Sequence, residues 1–294
     1  MRIPFPGALA AAIAIALPLP ATPAAPDPHP TWRQPQVPQR IYGNTWYVGS
    51  RGLSAILVTS PRGHVLIDGT LPESAAMVEA NIRSLGFRLH DVRVILDSHA
   101  HGDHAGAVAA IARDSGATVR ARAAQARALR EGGKDPEDPQ YGDAPLFPPI
   151  RHVQVIGDEA TVHVGPLAIR AHPTPGHTPG STTWSWTSCE RGRCLHMVYA
   201  DSLTPMAAGS YRFSAPDHPE RLTSFRRGIA ALSTLPCDIL MTPHPEASRF
   251  WQRMTARAQG HADALRDPDA CRAYARLGGQ MMDKRIAVER EAAP

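Results

Sequence analysis

The sequence predicts an α/β fold in which two β-sheets are sandwiched between helices. Short apolar runs of strand length come as hairpins in the first part of the chain, and later runs alternate with segments of helical periodicity. Strands buried on both faces need helices packed against the outside of the sheets. The chain of 294 residues is long enough for one sizeable domain with a good core.

Apolar runs and turn residues place the individual elements. Helix 73–85 is stopped by Gly86 and helix 104–114 by Gly116, because glycine readily adopts the left-handed conformation that ends helices. Further helices are predicted at 121–130, 219–235 and in a long C-terminal segment from Asp269. The predicted strands are 41–48, 54–59, 64–67, 92–96, 117–120, 152–155, 161–164, 167–171, 182–187, 195–200 and 239–241.

A short turn after the predicted strand 92–96 carries three histidines and an aspartate. His99 and His101 are two residues apart, so they point the same way in an extended chain. Asp103 and His104 fall at the start of the following helical segment, so the turn presents ligands to two points in space. Neutral imidazole and carboxylate suit zinc, and two neighbouring positions suit a binuclear hydrolytic site better than a closed structural one.

Two later histidines can complete such a site, because two metal ions need more ligands than this turn supplies. His177 lies in a loop between two Pro/Gly turns, and His244 is flanked by proline on both sides at the end of a predicted strand. On its own, either residue is more often an ordinary loop histidine than a ligand. Their shared position at strand ends favours metal binding.

Three motifs together resemble the metallo-β-lactamase superfamily, and most of all its subclass B3. They are His-Ala-His-Gly-Asp-His at 99–104, Pro-Gly-His-Thr-Pro-Gly at 175–180 and Thr-Pro-His-Pro at 242–245. The first motif alone specifies only the superfamily. The narrower marks of the subclass are the segments 198–204, 235–240 and 242–248. The other subclasses use a cysteine ligand for the second metal, and no cysteine closely follows His177 in a suitable strand.

This resemblance, which runs from about Ile41 to near Glu289, implies an αββα sandwich with the metal site at one edge between the sheets. It implies zinc-dependent hydrolysis of the β-lactam ring of penicillins, cephalosporins and carbapenems by a metal-bridging hydroxide, and hence antibiotic resistance. Two Zn2+ ions are then the cofactors, and small-molecule β-lactams are the partners. The implied ligands are His99, His101 and His177 for the first zinc, and Asp103, His104 and His244 for the second.

The same resemblance implies further roles in catalysis and substrate binding. Asp103 would orient the hydroxide as well as bind the second zinc. Ser202 and Thr204 follow a buried strand beside the second zinc and would hydrogen-bond the substrate carboxylate or metal-bound water. The alternative for both residues is that the backbone satisfies their hydroxyls.

A long loop at 132–149 is rich in proline and glycine and cannot form regular structure. By resemblance this loop lies beside the metals, which makes Gln140 and Tyr141 candidate substrate contacts. The alternative is that both are ordinary solvent-facing loop residues. Asp68 ends a strand near the same edge, and we interpret it as orienting a metal ligand rather than binding metal.

Other enzymes with the same histidine motifs are alternatives, namely a glyoxalase-II-like thioesterase or a lactonase. Such relatives carry an acidic residue that bridges both metals at the strand end where Asp201 and Ser202 lie, and the register there is open by one residue. A bridging Asp201 would weaken the β-lactamase interpretation, whereas Ser202 at that position would leave it intact. A tRNA-processing nuclease shares the first motif, and a non-catalytic zinc-binding protein is the alternative that is not an enzyme.

Composition and termini predict an exported protein. Residues 1–25 have one basic residue, an apolar run too short to span a bilayer, and small residues at the end, which indicates a cleaved signal peptide. Residues 26–40 are then an N-terminal extension and 41–294 a single domain. We expect a periplasmic monomer without a membrane anchor. The net charge of +4 is spread along the chain, so no nucleic-acid partner is expected.

The four cysteines predict disulfide bonds in such an oxidising compartment. Cys189 and Cys194 bracket a polar turn between two strands and should pair across that hairpin. Cys237 then pairs with Cys271, which is also the pairing that the resemblance implies. The second bond would tie the strand that leads to His244 to the C-terminal helix.

Overall fold

Two mixed β-sheets packed face to face form the centre of the computed structural model, which describes Met1 and residues 27–292. Helices cover the outer face of each sheet, so the predicted sandwich of two sheets between helices is confirmed. The predicted signal peptide, apart from Met1, lies outside the described residues.

The first sheet has seven strands in chain order. They are β1 (Gln39–Tyr42), β2 (Thr45–Tyr47), β3 (Ile56–Val58), β4 (His64–Ile67), β5 (Val92–Leu96), β6 (Thr118–Arg122) and β7 (Val153–Ile156). The strands β1 to β4 form antiparallel hairpins, and β4 to β7 run parallel. Parallel neighbours end at the same edge of the sheet, so the loops that follow β4 and β5 lie together.

The second sheet has five strands in the order β12-β11-β10-β9-β8. They are β8 (Thr161–Val164), β9 (Leu167–Pro173), β10 (Thr182–Glu190), β11 (Arg193–Tyr199) and β12 (Ile239–Met241). The pair β11 and β12 is parallel, which brings the segments after both strands to the same edge as well.

Seven α-helices lie around the sheets in the described residues. They are α1 (Pro30–Arg33), α2 (Ala75–Ser84), α3 (Val108–Ser115), α4 (Ala123–Arg130), α5 (Pro219–Ser233), α6 (Phe250–Ala258) and α7 (Ala270–Glu291). The helices α2, α3 and α4 pack on the first sheet, and α5 and α7 pack on the second.

Strand β4 illustrates why the layers form in this order. Val65 and Ile67 face the second sheet, where they pack in one cluster with Trp184. Leu66 points to the opposite face and packs against Val78 of α2. Successive side chains of a strand point to opposite faces, so a strand that is apolar at every position requires a packed layer on both sides.

The structure differs from the predicted elements where turns interrupt them. The predicted strand 41–48 is divided into β1 and β2 by a turn at Gly43, which has a φ of 51°. The predicted helix 104–114 begins only at Val108, and His104 lies in a turn before it. Backbone hydrogen bonds hold this turn, with Gly69 N–H donating to the His104 carbonyl at 2.8 Å. The short helix α1 and the helix α6 were not predicted.

Both disulfide bonds are present, linking Cys189 to Cys194 and Cys237 to Cys271. The first closes the hairpin of β10 and β11, and the second joins the segment before β12 to α7. Among the described residues, none of the helices has the length and apolar character needed to cross a bilayer.

The two disulfides should contribute unequally to stability. Replacing Cys237 and Cys271 with serine should lower the free energy of unfolding by about 3 to 4 kcal/mol, because their sequence separation is 34. The pair Cys189 and Cys194 has a separation of only 5, so the matching double variant should lose about 2 kcal/mol. Guanidinium unfolding of the oxidised proteins measures both values. A larger loss for the hairpin pair would contradict this ranking.

Candidate metal centre

The predicted metal ligands converge at the edge of the sandwich where β5, β11 and β12 end. The segment after β5 carries His99 to His104, and the loop between β9 and β10 carries His177. His244 follows β12 directly. Three segments of the chain that are far apart in sequence therefore meet at one edge, which fits the place predicted for the site.

The first group of ligand atoms belongs to His99, His101 and His177, all within 4.8 Å of one another. All three rings are buried, with 1%, 7% and 5% exposure. Burial, together with the neighbouring His99 and His101 rings, lowers the pKa of His177 to about 3. Burial also holds the pKa of His99 well below its usual value. These two rings are therefore neutral near pH 7, which is the form that binds a metal ion.

Hydrogen bonds from the far side fix the orientation of these rings. His99 Nδ1–H donates to Asp201 Oδ1 at 2.7 Å, and His177 Nδ1–H donates to the Thr204 carbonyl at 2.8 Å. A carboxylate or a carbonyl can only accept, so Nδ1 carries the proton in both rings. The Nε2 atom of each ring therefore keeps a lone pair that can bind a metal ion.

The second group consists of Asp103, His104 and His244. His104 Nε2 lies 3.3 Å from His244 Nε2, and Asp103 Oδ2 lies 3.2 Å and 3.4 Å from these two nitrogens. Burial raises the pKa of Asp103, but the adjacent His104 and His244 outweigh it and hold this pKa well below its usual value. Burial, together with His104, lowers the pKa of His244 to about 4. The group thus offers a carboxylate and a neutral imidazole at its open side, where Asp103 is 17% exposed.

Asp68 connects this centre to both sheets. Its fully buried carboxylate accepts hydrogen bonds from the Ser98 backbone at 2.6 Å, the Ser98 hydroxyl at 2.8 Å and the Tyr199 hydroxyl at 2.7 Å. Asp68 Oδ2 also lies 3.6 Å from His104 Nδ1. Ligand atoms also lie within 4.8 Å of one another in the set His99, Asp103 and His104, and neither this set nor the first group includes Asp68, in keeping with its interpretation as an orienting residue. Its φ of 65° is a left-handed conformation that the surrounding bonds maintain.

Asp201 lies behind the His99 ring and not between the two ligand groups. Its Oδ1 atom accepts a hydrogen bond from His99 Nδ1–H, and its side chain is fully buried. Burial raises the pKa of Asp201 to about 6, with His177 acting in the opposite direction. Asp201 thus supports the His99 ring through Nδ1, and it belongs to neither candidate ligand group found among the described residues.

The four residues predicted to contact substrate have different surroundings. Ser202 is buried beside Asp201, and Thr204 lies against the His177 ring, with its hydroxyl 3.1 Å and its carbonyl 2.8 Å from Nδ1. Gln140 is half-buried, whereas Tyr141 is 53% exposed. Thr204 therefore supports a ligand ring whether or not it also binds substrate.

Two residues that contact the ligands were not predicted from the sequence. Asp138, in the long loop, lies 2.9 Å from His101 Nε2. The Trp32 ring of α1 lies 5.3 Å from the His244 ring, so part of the N-terminal extension borders the site. No local pattern marks either residue, because Asp138 is one of several loop carboxylates and α1 has only four residues.

Known proteins resemble this chain in sequence and in structure. A family model described as the metallo-beta-lactamase superfamily matches residues 49–188. A hydroxyacylglutathione hydrolase from Anaeromyxobacter dehalogenans (strain 2CP-C) is 36% identical over 170 residues, which cover 57% of this chain. The alignment spans 52% of that curated relative, or about half its length.

The similarity to solved structures covers nearly the whole described chain. The structure of Rm3 metallo-beta-lactamase is 49% identical with a TM-score of 0.85, covering 88% of this chain and 97% of that one. MEM-A1, a subclass B3 metallo-beta-lactamase from a soil metagenome library, is 44% identical with a TM-score of 0.86, covering 89% of this chain and 100% of that one.

Replacing Asp68 should destabilise the whole edge of the sandwich. Asp68→Ala removes the shared acceptor of three hydrogen bonds and leaves each buried donor unpaired at a cost of about 1 to 3 kcal/mol, so we expect a loss of at least about 3 kcal/mol. Asp114→Ala, which breaks a surface ion pair with Arg113, should change stability by less than about 0.5 kcal/mol. Urea unfolding compares the two, and equal losses would refute the role of Asp68.

Proposed function

From the premise that this chain belongs to the metallo-β-lactamase superfamily, with subclass B3 enzymes as its structural neighbours, we propose that it is a zinc-dependent β-lactamase. The observation that carries the proposal is the ligand set itself. Three histidines stand in one group, and Asp103, His104 and His244 stand in the other, without a cysteine. The position of Asp201 behind His99 favours this function over thioester hydrolysis, for which we expected a bridging carboxylate at that strand end.

The spacing of the second group fits a zinc ion. A tetrahedral zinc with bonds of about 2.0 to 2.1 Å places its ligand atoms about 3.3 to 3.4 Å apart. The three separations among Asp103 Oδ2, His104 Nε2 and His244 Nε2 are 3.2, 3.3 and 3.4 Å. We propose that this group holds one Zn2+, the second of the site, and that His99, His101 and His177 hold the first.

The chemistry follows from which groups the site offers. Zinc supplies a Lewis acid for the lactam carbonyl and lowers the pKa of water toward neutrality. Asp103 is ionised and partly exposed, so it can accept a hydrogen bond from the attacking water and orient it toward the carbonyl carbon. Hydrolysis then forms one C–O bond, breaks the lactam C–N bond and transfers a proton to the nitrogen. No side-chain nucleophile is required.

Substrate binding is assigned to residues around this opening. β-Lactam antibiotics share a carboxylate next to the ring, and Ser202 and Thr204 lie in the segment that follows β11. We assign the substrate carboxylate to these hydroxyls, and contacts with the rest of the substrate to Gln140 and Tyr141 on the long loop. Recognition of a shared carboxylate favours a broad spectrum of penicillins, cephalosporins and carbapenems. Two disulfide bonds suit the periplasmic location proposed from residues 1–25.

Metal removal tests the proposed cofactor. The purified mature protein should contain close to two zinc ions, and a chelator should abolish hydrolysis of a carbapenem until zinc is restored. His177→Ala should lose the first ion and His244→Ala the second, each slowing hydrolysis by orders of magnitude. Elemental analysis and steady-state kinetics measure both effects.

A thioester substrate serves as the control for the reaction class. Hydrolysis of a glutathione thioester with no turnover of any lactam would contradict the proposed function. Full lactam hydrolysis with at most one zinc per chain would contradict the proposed metal content.

Ser202 offers the cleaner test of carboxylate binding, because the Thr204 hydroxyl also faces His177. A hydrogen bond to a charged group is worth about 1.5 to 3 kcal/mol, so Ser202→Ala should raise KM by about 10- to 100-fold for one drug of each class. The turnover number should change less if the contact holds substrate and transition state alike. Ser84→Ala, at an exposed position on α2, is the matched control. Unchanged KM values throughout would exclude Ser202 from the carboxylate site.

A further inference from the structure

We propose that Asp138 is a positioning residue that orients the His101 ring toward the first metal and, through its other oxygen, fixes the backbone of Gln140. The inference rests on the proposed zinc site at His99, His101 and His177. It extends that site to the long loop between α4 and β7, and joins metal binding to the placement of a candidate substrate contact.

The carboxylate of Asp138 lies between the metal-ligand turn and the loop. Its Oδ2 atom accepts a hydrogen bond from His101 Nε2–H at 2.9 Å. Its Oδ1 atom accepts a hydrogen bond from the Gln140 backbone N–H at 2.7 Å. The side chains of Asp138 and His101 are only 7% and 8% exposed, so water competes little for either bond.

The bond to Asp138 decides which nitrogen of His101 is available to a metal. An ionised carboxylate can only accept, so Nε2 carries the proton and Nδ1 keeps its lone pair. His99 has the opposite arrangement, because its Nδ1–H donates a hydrogen bond to Asp201. The acceptor for His99 follows a strand of the second sheet, whereas the acceptor for His101 stands on a loop. His101 is therefore the ligand of this group whose orientation depends on that loop.

Other contacts hold the loop against the same turn. A Cβ atom at Gly102 would lie 2.9 Å from the Pro145 carbonyl oxygen, so the loop backbone approaches the turn next to His101 as closely as a glycine permits. The Pro139 carbonyl accepts a hydrogen bond from the Ala208 N–H at 2.8 Å. Gln140 thus follows a residue that is anchored to the segment after β11. The backbone N–H of Gln140 is itself held by Asp138.

The neighbouring Asp135 provides a matched control. This carboxylate is also buried in the loop, where it accepts hydrogen bonds from Arg127 at 3.1 Å and from the Glu137 N–H at 3.2 Å. Both bonds anchor the loop to α4 or to itself, and neither involves a metal ligand. Replacing either aspartate should loosen the loop. Only the replacement of Asp138 should also change the orientation of the His101 ring.

The decisive variant is Asp138→Asn, compared with Asp135→Asn in the full mature protein. The asparagine oxygen can keep the bond to Gln140, but its NH2 group then faces His101 Nε2 and favours the ring tautomer protonated on Nδ1. That tautomer has no lone pair on the nitrogen that faces the cluster. We expect Asp138→Asn to weaken zinc binding about 10- to 100-fold, measured by competition with a chromophoric chelator. The visible spectrum of the cobalt-substituted protein should change as well, and Asp135→Asn should alter neither.

A second variant separates positioning from folding. Asp138→Glu keeps a carboxylate acceptor at a shifted position, so its zinc affinity should lie between those of the parent and Asp138→Asn, while circular dichroism should show all variants folded. Equal zinc affinity of Asp138→Asn and Asp135→Asn would overturn the proposal, as would equal affinity of the Asn and Glu variants at this position. These measurements need no substrate. A protein whose zinc affinity depends on Asp138 but which hydrolyses no lactam would refute the proposed function alone.

Discussion

The buried carboxylate of Asp68 connects the elements on which the metal centre depends. It follows β4, accepts two hydrogen bonds from Ser98 after β5, and accepts a third from Tyr199 in the second sheet. Because a buried carboxyl group without hydrogen-bond partners is costly, the folded chain has to supply these donors at this position. The three bonds hold the two sheets in one relative position at the edge where the ligands project. The left-handed backbone at Asp68 is maintained by the same contacts.

The orientation of each ligand ring depends on a second element that supplies a hydrogen-bond acceptor. Asp201 follows β11 and holds His99, while the Thr204 carbonyl holds His177. The first ligand group therefore exists only when the segment after β5, the loop after β9 and the segment after β11 have packed together. Metal binding to such a site would add directly to the stability of the folded chain, because the unfolded chain has no equivalent site.

The position of the Asp201 carboxylate, directly after β11, affects which groups surround the candidate metal centre. Asp201 faces away from the space between the ligand groups, toward the back of His99. It therefore leaves that space to Asp103, which the neighbouring histidines keep ionised. A carboxylate that faced the ligand groups instead would add a negative charge to the site.

The sequence by itself determined the positions of most ligands and the ends of several helices, because the signals for them lie within single segments. The histidines and Asp103 stand in turns after apolar strands, and glycine marks the ends of α2 and α3, because these signals depend on residues close together in the chain. Packing decided the rest. His104 lies in a turn before α3, since the bond from Gly69 to its carbonyl is a tertiary contact. The acceptors behind His99 and His101 are 102 and 37 residues away, so no local pattern could reveal them. Those partners are chosen by the way sheets and loops pack, and only the folded chain brings them together.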